Sequence, residues 1–284
     1  MALLTSLMLS AQADPLDQWS WRLPRPITTT LDGIVYGIVL FVAVGNNGWP
    51  SSIITSPDGE KWSAESAGTD RTLFGVAYGI GRFIAVGEAG TILTSTDGHA
   101  WSSQSSGVTN NLSAVCYGGA SFVVVGTGGV VLSSPDGSRW QTTQSVTPEN
   151  LNTVAFGNGR FVAAGAYKTV QTSADGVKWT LSEVEHNDPY FQLTDIAFGS
   201  GVFVGVGSES ANAWSILVST DGVSWSPAIR EHPCSFVYGV AFGDGKFVTV
   251  PNYGTGSEIS SDGTNWICDG DTLTTRPLYR VAYG

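Results

Sequence analysis

The chain has 284 residues, 13 of them Lys or Arg and 24 Asp or Glu, for a formal net charge of -11. So acidic a chain offers no basic patch for phosphate, which argues against nucleic acid and anionic membrane surfaces as partners. It carries 36 glycines and 11% aromatics, and its Val, Ile, Phe, Tyr and Trp fall in short runs between Gly, Asp and Ser, which predicts an all-β protein.

Residues Met1–Ala13 form an apolar run ending in Ala11-Gln12-Ala13, an A-x-A type cleavage signal without a basic start. The expectation is a signal peptide over 1–13 and one domain over 14–284, in an extracellular, periplasmic or cell-envelope location. No later segment is long and apolar enough for a membrane span.

From Leu31 onward the chain repeats. A first-strand motif, Leu-x-x-Val-Ala-Tyr/Phe-Gly or a close variant, begins at Leu31, Leu73, Leu112, Leu151, Leu193, Val237 and Leu278. A second-strand motif, Phe-Val-Ala-Val-Gly or a variant, begins at Phe41, Phe83, Phe122, Phe161, Phe203 and Phe247. A third run ends in Ser, and Asp-Gly-x-x-Trp follows. Its aspartates are Asp58, Asp97, Asp136, Asp175, Asp221 and Asp262, and the successive tryptophans lie 39, 39, 39, 46 and 41 residues apart. A period near 40 carrying four short antiparallel strands predicts a β-propeller. Asp-Gly between two strands predicts a tight type I′ hairpin, with the aspartates as structural turn formers and the tryptophans covering the gaps between blades.

Six complete repeats and a partial seventh favour a seven-bladed ring and leave a six-bladed one open. Asp17-Gln18-Trp19-Ser20-Trp21 stands where a Trp-bearing fourth strand could complete the partial blade, and the chain is read as truncated inside it. Cys116 lies in an apolar strand and is expected to be a buried free thiol. Cys234 and Cys268 flank the last full repeat, where export would permit a disulfide, although three cysteines fix no connectivity.

Blocks such as Val86-Gly87-Glu88-Ala89-Gly90-Thr91-Ile92-Leu93-Thr94-Ser95-Thr96-Asp97-Gly98-His99-Ala100-Trp101 resemble the Asp-box, or bacterial neuraminidase repeat, propellers. Among these the look is nearest to the photosystem II stability/assembly-factor type. The resemblance covers Leu31 to Trp266 and implies four-stranded blades with the box between the third and fourth strands. The usual box has one more residue between Asp and Trp. The family spans sialidases, other glycoside hydrolases, assembly factors and secreted binding proteins, so fold alone selects no function.

A sialidase needs three arginines converging on a carboxylate. Here Arg82, Arg139 and Arg160 fall on turns of the face opposite the usual ligand face, which disfavours that activity. The histidines His99, His186 and His232 form no metal pattern, and no Gly-rich stretch precedes a helix as a phosphate loop does. Neither a cofactor nor a metal is expected. Large aromatics in the second-to-third strand loops, Trp49, Tyr167, Trp214 and Tyr253, are the candidate ligand-binding residues. The expected function is a monomeric, non-catalytic scaffold binding a protein or polysaccharide through its loop face. Two alternatives are a glycoside hydrolase or polysaccharide lyase with an acid pair at the channel mouth, and an assembly factor for a membrane complex.

Overall fold

In the computed structural model the structure describes residues 30–46, 52–143, 145–209, 214–230, 235–254, 256–268 and 280–283. The chain is an all-β propeller. Six sheets of four antiparallel strands follow one another in chain order, beginning at Leu31, Leu73, Leu112, Leu151, Gln192 and Ser235. Blade 3 shows the pattern: Leu112–Gly118, Ser121–Gly126, Val131–Ser134 and Gln141–Thr143, paired in sequence order. The second strand is apolar without alternation, and Phe122, Val123, Val124 and Val125 are all fully buried. It therefore has protein on both faces, as an inner strand stacked between neighbouring blades requires.

Blades 5 and 6 each gain a fifth, outermost strand. Glu183–Val184 runs parallel to Ser224–Pro227, and Ile229–Arg230 runs parallel to Asn265–Cys268. In both cases the linker leaving one blade covers the open edge of the next, which occupies backbone groups otherwise left for another chain to pair with.

Successive blades are joined by a repeated contact. The glycine ending each first strand lies under the aromatic ring of the next first strand. Gly37 is covered by Tyr78, Gly79 by Tyr117, Gly118 by Phe156, Gly157 by Phe198, and Gly199 by Phe242. The step continues past the sixth blade, where Tyr283 covers Gly243. A Cβ on Gly118 would stand 2.0 Å from Cγ of Phe156, so only glycine allows the approach. Further out, the box tryptophan closes the gap to the preceding blade: Trp101 meets Phe83 of its own blade and packs against a buried cluster that includes Val42, Val44 and Ile53 of blade 1. Phe122, Phe203 and Phe247 meet Trp140, Trp225 and Trp266 in the same way, with ring centroids 6.3–6.5 Å apart.

The Asp-Gly turns differ from the sequence expectation. Six residues, not two, separate Ser56 from Ser63, and of each Asp-Gly pair only the glycine has positive φ (70° to 80°). The reason is the aspartate carboxylate, which gathers backbone N–H groups from beyond the turn and so holds open a wider loop. The type I′ geometry occurs instead between first and second strands, at Ile38-Val39, Ile80-Gly81, Gly119-Ala120, Asn158-Gly159, Ser200-Gly201 and Asp244-Gly245, where both central residues have positive φ. Ile38 and Val39 are β-branched at φ 52° and 56°, a conformation such side chains resist. In repeats 5 and 6 the second strand runs on toward the second-to-third strand turn. Ser208 pairs with Trp214, and Lys246–Gly254 is one continuous strand.

Two substitutions test this construction by chemical denaturation. Gly118→Ala should cost about 2–3 kcal/mol, as overpacking does. Val39→Gly should add about 1 kcal/mol by relieving left-handed strain. Neutral results for both would contradict the ring-on-glycine step and the strained turn.

Candidate functional site

The strand directions define two faces. The lower face carries the type I′ turns and the Ser-x-Asp-Gly-x-x-Trp loops. The upper face carries the second-to-third strand turns, the linkers between blades, and the mouth of the central channel.

Lower-face chemistry is used internally. In all six loops the Ser hydroxyl donates to the Asp carboxylate at 3.0–3.1 Å. The same Oδ1 accepts the N–H groups two and three residues on, at 2.8–3.1 Å. In blades 1, 2, 5 and 6 the tryptophan Nε1 donates to the glycine carbonyl. Trp140 and Trp179 take the same place in blades 3 and 4 without that bond. Arg82 on this face donates to Ser138 of the next blade at 2.9 Å, a bond between blades.

These aspartates are held below the ordinary carboxylate range, chiefly by the backbone N–H groups they accept. Asp97 is lowered to about 2, first by the N–H of Ala100 and then by that of His99. With folded-state values below the unfolded value of about 3.9, their stabilisation is complete above that pH and lost as pH falls through the depressed range. The denaturation midpoint should therefore fall steeply below about pH 4. In Asp97→Asn the pH 7 midpoint should start lower and fall less between pH 4 and 2. Equal acid slopes in the two proteins would contradict this role.

On the upper face a cavity of about 330 Å³ opens into the channel. It is lined by Asp32, Phe74, Asn111, Ser113, Thr127, Asn152, Thr194, Tyr238 and Arg280. Six of these occupy one position, the residue directly after the first Leu or Val of the first-strand motif: Asp32, Phe74, Ser113, Asn152, Thr194 and Tyr238. Arg280 occupies the next position of the seventh motif. The strand pleat turns the six inward, and the Leu or Val before each anchors the strand, with Leu73, Leu112, Leu151, Leu193 and Val237 all buried.

The cavity wall is charged on one side. Arg280 Nη1 lies 3.5 Å from Asp195 Oδ2, and Arg280 Nη2 donates to the Thr194 carbonyl at 3.3 Å. Asp195 also accepts the N–H of Val240 at 3.1 Å, that of Ile196 at 3.0 Å and the hydroxyl of Thr153 at 3.3 Å. Burial raises the Asp195 carboxyl despite Arg280 and these donors. Burial likewise raises that of Asp32, with Arg280 opposing. Asp195 is spent on its donors, and among the described residues Asp32 is the acid that lines the cavity, with no second carboxylate beside it to form the pair a glycosidase uses.

The same face carries a shelf of aromatic rings in two groups, one of which reaches the cavity lining through Tyr238. Tyr167 and Tyr190 are 57% and 64% exposed and meet edge-on at 6.2 Å. Trp214 packs on Tyr238 at 4.5 Å and on Phe236 at 6.2 Å, and Phe236 is 43% exposed. Arg230 orders this second group. Its Nε donates to Glu258 Oε2 at 2.8 Å, its Nη2 to Glu258 Oε1, and its Nη1 to the Trp214 carbonyl at 2.7 Å.

A His-Ser-Glu cluster supports the first group. His186 stacks on buried Phe191 at 4.1 Å. Its Nδ1 accepts the Asp188 N–H at 3.2 Å, so the proton of the neutral ring sits on Nε2. Nε2 lies 3.3 Å from Ser215 Oγ and 3.5 Å from Glu209 Oε1, while Ser215 donates to Glu209. That tautomer has no lone pair for the serine proton, so Ser215 is not activated as a nucleophile. Lys168 Nζ caps the His186 carbonyl at 3.2 Å. The cluster holds the loop that presents Tyr190. His232 lies outside the described residues. Among the described residues, no three His, Cys, Asp or Glu side chains gather as metal ligands.

Of the sequence candidates, Tyr167 stands exposed on the shelf, while Trp214 is half-buried and largely a packing element. Trp49 lies outside the described residues, as does the side chain of Tyr253. Tyr190, Phe236 and the channel residues stand outside the sequence candidates. Their signal was present, since they vary at a fixed position of an otherwise regular motif or stand in linkers of uneven length. Cys116 is a half-buried free thiol kept protonated by burial. Cys268 is disulfide-bonded, and Cys234 lies outside the described residues.

No family model and no curated protein sequence matches the chain. Solved structures do. The chain is similar to YCF48 from Cyanidioschyzon merolae, with a TM-score of 0.67 at 16% identity over 90% of this chain and 89% of that one. It is similar to a structure described as YCF48 bound to D1 peptide, with a TM-score of 0.70 at 16% identity over 91% and 88%. The WD40 β-propeller domain of Doa1 also matches, with a TM-score of 0.61 at 14% identity over 84% and 82%. At these identities the likeness establishes the propeller fold.

Proposed function

We propose that this chain is a non-catalytic propeller that recognises a segment of a partner protein on its upper face, as an assembly factor does. The observation that carries the proposal is the aromatic shelf. Exposed Tyr167, Tyr190 and Phe236 stand on the same face as the cavity, and each meets a second ring. Rigid, amphipathic rings beside a polar cavity are what a protein segment uses as anchor points. A structural neighbour described as bound to a peptide supports the same reading. Kinship with the Asp-box propellers rests on the six Ser-x-Asp-Gly-x-x-Trp loops. An oxidising compartment is part of the proposal, supported by the disulfide-bonded state of Cys268.

Selection of a random 12-residue peptide library on the full chain tests this. Enriched peptides should bind the wild type and lose roughly tenfold in affinity on Tyr167→Ala/Tyr190→Ala, as loss of an interface anchor implies. Peptides indifferent to the double variant, or glycan-array binding with no peptide enrichment, would overturn it. The second outcome would point to a polysaccharide ligand.

A further inference from the structure

The channel mouth contains one carboxylate whose role the fold does not explain. Asp32 is half-buried, lines the cavity and makes no hydrogen bond or ion pair with the described residues. The other charged groups of the wall make their direct contacts elsewhere: Arg280 lies against Asp195 and the Thr194 carbonyl and acts on Asp32 only through space, and Asp195 is filled by Val240, Ile196 and Thr153. Among the described residues of the wall, two acids, Asp32 and Asp195, share one guanidinium, and the acid in direct contact with it is Asp195. Placing a carboxylate in this recess has a desolvation cost that a fold would avoid unless something offsets it.

The rest of the lining specifies what offsets it. Phe74, in the blade next to Asp32, and Tyr238 supply aromatic surface. Asn152 uses its Nδ2 on the Leu193 carbonyl, which leaves Oδ1 as an acceptor, and the Ser113 hydroxyl is a second. Asn111 uses its Oδ1 on the Ala89 N–H, which leaves its Nδ2 as a donor. An anionic centre, neutral acceptors and aromatic faces together suit a cationic head on an apolar stem. At about 330 Å³ the cavity exceeds what an ammonium group alone would fill, and it opens on the face that bears the aromatic shelf. The chain's net charge of -11 favours approach of a basic segment.

We infer that the channel mouth is a receptor for a single Lys or Arg side chain projecting from the partner segment, with its cationic head on Asp32 and its stem against Phe74. This rests on the proposed protein-segment reading and adds to it the chemical class of the anchoring residue.

The test is an amide NMR titration of the full chain with acetyl-Gly-Lys-Gly-amide, acetyl-Gly-Arg-Gly-amide, the norleucine analogue and spermidine. The two basic peptides should shift the amides of Ser113, Asn152 and Tyr238, and norleucine should not. Asp32→Asn should weaken the basic peptides at least about tenfold, the loss of one charged contact. Its thermal midpoint should equal or exceed that of wild type, because a half-buried carboxylate without a hydrogen-bond partner is removed. Phe74→Ala should weaken binding without abolishing it. Norleucine shifts equal to those of lysine, no shift with any basic peptide, unchanged binding to Asp32→Asn, or spermidine binding more tightly than both peptides would each overturn the inference. The parent reading fails separately: library-selected peptides that depend on Tyr190 but lack a basic residue would leave it standing and remove only the cation receptor.

Discussion

The fold depends on a ring seated on a glycine. Each innermost strand ends in a residue without a Cβ, and the next blade places a Tyr or Phe ring on the vacated space. Inner strands can approach closely only under this condition, and it sets the angular step from blade to blade. It recurs without exception from Gly37 and Tyr78 to Gly243 and Tyr283. The box tryptophans then fill the wedge that opens with distance from the axis, which is why the largest side chains lie outside the smallest residues. Neither contact works alone: the glycine fixes the step near the axis, and the indole keeps the widening gap dry.

This construction divides the faces by function. Lower-face polar groups are consumed in holding loops and joining blades, as the Ser-Asp-backbone cradles and the Arg82–Ser138 bond show. The upper face is where the repeat is broken. The Arg230–Glu258 pair, the His186–Ser215–Glu209 cluster and the Arg280–Asp195 pair occur once each, and each secures an aromatic group or a channel residue. Single-use polar networks beneath exposed rings are characteristic of a preorganised binding surface, because they fix side chains that would otherwise lose rotamer freedom on binding.

Much of the fold was legible because Gly, Asp and Trp recur with one spacing, and each has a physical reason to stand where it does. The Asp-Gly turns depart from the type I′ expectation because the dipeptide serves two structures. It marks a type I′ hairpin when both residues take positive φ, and a wider loop when the carboxylate captures N–H groups beyond it. The Ser two residues upstream distinguishes them, since its hydroxyl donates to the carboxylate in every loop. Ile38-Val39 hid a true type I′ turn, because β-branched residues argue against positive φ. The site was partly legible. Tyr167 stands out as an aromatic in a turn, whereas Asp32, Phe74 and Tyr238 look like ordinary strand variation until the strands are wrapped around an axis. Only then do seven unrelated positions along the chain become one ring of neighbours.

The central claim is that recognition belongs to the upper face and channel mouth. Hydrogen–deuterium exchange of the full chain, with and without a library-selected peptide, tests it most directly. Protection should appear at the starts of the first strands, around Ser113, Asn152, Thr194 and Tyr238, and in the 186–191 loop, with the Asp-Gly-x-x-Trp loops unchanged. Protection confined to those lower-face loops, or to the outer strands, would contradict the account.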